Sequence, residues 1–157
     1  MEEILRSIRS KTKADRAVIY QMKPGPSMAS GACSYKMSPC GISSGKKAQK
    51  KVPDLKILSK EYPYHLFMEL LRKTFSYGEV YFSRKSPTSL KNTETSILLK
   101  AMDDLKVERF INFAISETSF LCLHWCTDSP VAFLISRQQI AQEISQLQRV
   151  MNTNIYW

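Results

Sequence analysis

The 157-residue chain is short of the residues that mark most common chemistries, with 2 histidines, 4 cysteines and 5 glycines. No CxxC pair, HExxH, Walker A or GxGxxG motif is present, so the signatures of zinc ribbons, zincin hydrolases and P-loop or dinucleotide sites are missing. Its few carboxylate pairs, Glu2-Glu3 and Asp103-Asp104, are adjacent in sequence and point apart on a helix, so no acid–base pair stands out. No run of about 18 apolar residues occurs, and no spanning helix is expected. The opening MEEILRSIRSKTK starts with acids and has no apolar block, unlike a secretory signal. The cysteines are therefore expected as reduced thiols and the protein as cytoplasmic.

Acidic residues are also absent from Arg16 to Pro53, while that stretch carries Lys23, Lys36, Lys46, Lys47, Lys50 and Lys51. With a formal charge of +9, this bias suits a phosphate-bearing ligand, an acidic partner or a nucleic acid. It equally suits a solvated basic loop. Aromatics do not interleave with these lysines, so base stacking is not suggested. The segment 38–59 holds Pro39, Gly41, Ser43, Ser44 and Gly45 and is expected to be an irregular basic loop.

What remains is patterned. Ile4, Leu5 and Ile8 predict a first amphipathic helix. Ala17 to Tyr20 predict a buried strand that Pro24-Gly25-Pro26 ends in a turn. A weaker strand follows near Gly31 to Met37. Tyr62 to Phe75 predicts a helix with Pro63 in its first turn, and Glu79 to Phe82 a strand. Asn92 to Leu105 predicts another helix, and Glu108 to Ser116 with Phe120 to Cys126 a hairpin. Ser136-x-x-Gln139 is a capping box that opens a last helix bearing Ile140, Ile144, Leu147 and Met151. The fold class is α+β, an antiparallel sheet of about five to six strands with helices on both faces, in one domain over 1–157.

This order, with ADRAVIYQMKPG at its first strand, resembles the GAF domain family and its PAS-like relatives. It is similar to small phage and bacterial GAF-like proteins whose first strand runs Asp-Arg-Val-x-Ile-Tyr-x-Phe-His-Asn-Gly. Asp15, Arg16, Val18, Tyr20 and the turn glycine Gly25 fall close to that pattern, and SYKMSPCGIS resembles the group's middle segment. Lys23-Pro24 replaces the His-Asn pair, so no role of that pair is carried over. The resemblance implies a GAF-like fold with room for a small-ligand pocket, chooses no ligand, and leaves a host cytoplasm or a virion as the setting.

FLCLHWCTD, Phe120 to Asp128, is the most distinctive stretch. On a strand, Leu121, Leu123 and Trp125 share one face, and Cys122, His124 and Cys126 share the other. The apolar trio is expected under the terminal helices. The second row is expected to face the middle helices, where the resemblance places a pocket. Zinc fits poorly, because same-face neighbours lie roughly 6.6 Å apart along one strand. A thiol nucleophile would need an opposed base and an orienting acid, and neither is visible. Cys122 and Cys126 should be roughly 13 Å apart, too far for a disulfide between them.

The expected function is a non-enzymatic module for a small ligand or a protein partner. Its pocket candidates are Cys122, His124, Cys126, Tyr81 and Ser34, with Lys46, Lys47, Lys50 and Lys51 as a basic flap for a phosphate or partner. No cofactor or metal is implied. Two alternatives stay open: a structural subunit of a larger assembly such as a virion or homo-oligomer, and nucleic-acid binding through the basic 36–60 segment.

Overall fold

The computed structural model describes residues 1–27, 33–85, 90, 92–127 and 135–155, with the backbone alone for 25–27, 33–34 and 153–155. Six strands form one sheet in the order β3-β2-β1-β6-β5-β4, with every recorded pair antiparallel. They are β1 (Arg16–Ser27), β2 (Cys33–Ser44), β3 (Tyr62–Pro63), β4 (Glu79–Ser83), β5 (Arg109–Ala114) and β6 (Ser119–Trp125). The helices are α1 (Glu2–Thr12), α2 (Lys46–Lys51), α3 (Leu55–Leu58), α4 (Met68–Tyr77), α5 (Asn92–Leu105) and α6 (Ala141–Ile155). This is the expected α+β class, with helices on both faces of the sheet.

Side-chain alternation sorts the sheet into two cores. Ala17, Ile19, Ile111, Leu121, Leu123 and Trp125 pack beneath α1 and α6. Leu5 and Ile8 from α1 meet Ile144 and Leu147 from α6 there, the stripes their spacing foretold. On the other face Val18, Tyr20, Phe110, Phe120 and Cys122 pack beneath α4 and α5. Every residue of β6 is buried, because β1 and β5 flank it and helices cover both faces. Gly78 takes φ 82 and closes α4, its N–H donating to Thr74 O at 3.0 Å. That left-handed conformation favours glycine.

Three expectations need correction. The strand does not end at Pro24-Gly25-Pro26, and Gly25 is not a turn residue: β1 continues to Ser27. Pairing with β6 stops at Gln21, so beyond it the prolines lie where β1 has only β2 beside it, with a register shift between Pro24 and Ser27. The segment 38–59 is not an irregular loop. Its first part completes β2 along β1, with a register shift that leaves Cys40 between paired neighbours, and the rest forms α2 and α3. Finally, the helix expected from Tyr62 begins only at Met68. Tyr62 and Pro63 pair with Met37 and Lys36 as β3, and a 3₁₀ turn intervenes. The Ser136 capping box is present, with Ser136 N–H donating to Gln139 Oε1 at 2.8 Å.

Candidate functional site

A cavity of about 70 Å³ lies between the sheet and the middle helices. Its floor is Tyr20, Phe110, Asn112, Phe120, Cys122 and His124 from β1, β5 and β6, with Met37 and Tyr62 at one side. Its roof is Leu70 from α4 and Leu98, Ala101, Met102 and Leu105 from α5. The cross-strand register builds the floor. His124 stands opposite both Arg16 and Phe110, and Cys122 opposite both Val18 and Asn112.

The polar groups on this face form a short chain. Arg16 is 0% exposed, and its Nη1 donates to Leu105 O and meets His124 Nδ1, each at 3.1 Å. Leu105 is the last residue of α5. Its carbonyl lacks an intrahelical partner and carries the negative end of the helix dipole. A guanidinium can only donate, so Nδ1 accepts and the neutral imidazole carries its proton on Nε2. Burial, helped by the Arg16 charge, pushes the His124 pKa down to about 3 and keeps the ring neutral. Burial also lowers the Arg16 value, yet a guanidinium remains charged at any ordinary pH. Among the described residues no carboxylate pairs with Arg16, and its Nε and Nη2 have no hydrogen-bond partner.

Two more groups are incompletely satisfied. Asn112 Nδ2 donates to Thr74 Oγ1 at 3.2 Å, but its Oδ1 has no partner. The buried Tyr62 hydroxyl has none either. Each buried unpaired group costs about 1–3 kcal/mol. Such groups are tolerated where something else meets them.

The structure brings Cys122 and His124 to the cavity but not the whole expected row. Cys126 lies one residue past β6, where the alternation ends. Its N–H donates to Asp15 Oδ2 at 2.7 Å and its carbonyl accepts from Lys51 Nζ at 3.1 Å. It opens instead onto a surface cleft with Lys51, Arg84, Asp103, Lys106 and Glu108. Tyr81 is on the wrong face. It pairs with Ile111 and packs with the α1 and α6 core. Ser34 lies in β2, but its side chain falls outside the described residues. Lys46, Lys47 and Lys50 are exposed on α2 and Lys51 is tied to Cys126, so none of these lysines lines the cavity as a flap.

Burial pushes the Cys122 thiol far above its usual range, with Arg16 offsetting only part, and raises Cys126 as well. Neither sulfur is a thiolate near neutral pH. No cluster of three metal-ligating side chains gathers among the described residues. Cys40, Cys122 and Cys126 are all free thiols. No helix among the described residues is long and apolar enough to cross a membrane.

Sequence reading missed Arg16, Tyr62 and Asn112 as site residues. The signal for Arg16 was its parity: it shares a strand face with Val18 and Tyr20, so a buried strand had to bury a cation. Asn112 gave the same signal between Phe110 and Ala114. Tyr62 was hidden by its assignment to a helix.

No protein-family model matches the chain, and no curated protein matches it. Solved structures do. A far-red cyanobacteriochrome photoreceptor superposes with a TM-score of 0.58 at 12% identity, over 94% of this chain and 84% of that one. The NreA protein of Staphylococcus aureus, mutated in its nitrate-binding site, gives 0.55 at 12% identity over 92% and 93%. The photoproduct state of GAF3, a domain from Synechocystis sp. PCC6803, gives 0.53 at 7% identity over 98% and 94%. At such identities the likeness is one of architecture. The order of strands, the two helical layers and the near-complete coverage together give this chain a GAF-like fold.

Proposed function

We propose that the chain is a small-ligand-binding module of GAF-like fold that performs no chemistry of its own. The observation that carries this reading is the cavity beneath α4 and α5, apolar in most of its wall and holding incompletely satisfied polar groups on its floor. Pockets of that composition are the usual form of a small-molecule site. The absence of catalysis rests on the protonated thiols and on a neutral His124 whose Nδ1 is taken by Arg16. The structural neighbours add a parallel, since one is described by a nitrate-binding site and another as a photoreceptor.

Native mass spectrometry of untagged protein, with a thermal-shift screen of small metabolites, tests the reading. The expected result is a retained organic mass at one per chain, or a compound that raises Tm. A bare chain mass together with a flat screen overturns it.

A further inference from the structure

Resting on that reading, we infer that the occupant is a small monocarboxylate with a compact apolar body, its carboxylate held by His124 Nε2–H with Arg16 behind the ring. The argument starts from charge. Arg16 is fully buried on the cavity side of β1 and has no acidic partner among the described residues. Leu105 O and His124 Nδ1 satisfy part of it, and both of those residues form cavity wall. A buried cation left this way is costly, and an anion nearby relieves it.

The imidazole transmits the charge. Nδ1 is fixed as the acceptor, so Nε2–H is the remaining donor, and no described residue receives it. A donor polarised by a cation on its far side is a better donor to an anion. The Tyr62 hydroxyl, buried and without a partner, also borders the cavity and is a second donor. Asn112 Oδ1 is an acceptor, so it adds no hold on a carboxylate and leaves that to the donors.

Size and wall composition set the rest. The 70 Å³ exceeds the roughly 10–15 Å³ that one water needs, so a compact molecule of several non-hydrogen atoms fits. Leu70, Leu98, Met102 and Phe110 surround most of that space. They suit a branched or short aliphatic tail and do not suit a second charge. A phosphate ester or a dicarboxylate is therefore disfavoured.

Calorimetric titration of the full chain with 3-methylbutanoate, its primary amide, and nitrate tests the inference. The acid is expected to bind at least about tenfold more tightly than either, the scale of one charge-assisted contact. Equal affinity for the amide overturns the role of the anion, and equal affinity for nitrate overturns that of the apolar body. If none of the three binds while native mass spectrometry shows another retained compound, the inference fails and the module reading stands. If nothing binds and nothing is retained, both fail. Arg16→Met acts through His124, and its diagnostic is the acid-to-amide ratio, expected to fall towards one. A ratio unchanged in folded R16M protein also overturns the inference. Should that variant not fold, the wild-type series decides.

Discussion

His124 must stay neutral for Arg16 to keep a side-chain partner, because a protonated ring would turn an N–H towards a guanidinium. This makes one residue a source of pH-dependent stability. The ordinary value of 6.5 holds in the unfolded chain, and the folded value is about 3. Above 6.5 neither state binds the proton, and the contribution is fully present. As pH falls below it, the unfolded chain takes up a proton that the folded chain refuses, so stability drops until about 3. The slope from this residue is about 1.4 kcal/mol per pH unit. Urea unfolding at a series of pH values between about 7.5 and 5 reads it. In His124→Gln the amide can still accept from Arg16 but does not titrate, so this part of the slope should vanish. An unchanged slope would mean that the ring is not held neutral. At this scale the sequence was partly legible. Cys122 and His124 lined up by alternation alone. Cys126 broke the row because a strand's parity is worth nothing once the strand has ended, and no pattern marks that residue as the end.

At the scale of elements, α4 depends on a residue from α5. Glu94 is buried, and its carboxylate accepts from Glu69 N at 3.1 Å and Leu70 N at 2.8 Å, in the first turn of α4. Those N–H groups are the unsatisfied donors of a helix start, and the charge also meets the positive end of the dipole. Glu94→Ala should cost about 2 kcal/mol in chemical unfolding, the upper range for a lost cap. Glu94→Gln should cost less, since its amide oxygen still accepts one bond. Equal small losses from both would show that the cap does not hold α4. In the sequence Glu94 stands in the first turn of its own helix. Local pattern cannot show that another helix brings its end to that side chain. The same limit explains 38–59. Serine, glycine and proline there argue for a loop, yet β1 offers a ladder along which they pair, and tertiary pairing overrides propensity. The long apolar helices and the β5–β6 hairpin were legible because their periodicity is strong and local.

For the molecule as a whole, the cavity is a stability reserve. At about 24 cal/mol per Å³, 70 Å³ of empty space costs about 2 kcal/mol relative to filled space. Ala101 lies in its roof. Ala101→Leu should therefore leave stability unchanged or raise it by up to about 2 kcal/mol, and should block ligand retention. A loss well beyond about 2 kcal/mol would show that there is no such space to fill. The two-layer plan was readable from the sequence in β5 and β6, whose two faces each carry buried apolar residues. The cavity was not, because a void is a mismatch between surfaces, and no single residue encodes one.

β6 is the partition between those layers. The same seven residues that offer Cys122 and His124 to the cavity press Leu121, Leu123 and Trp125 against the first and last helices. Such a wall behaves as a diaphragm: on the side of the terminal helices, close packing leaves no slack to absorb a push. A few tenths of an ångström imposed from the cavity would arrive at α1 and α6 together, on the far side of the protein, without any hinge or moving loop.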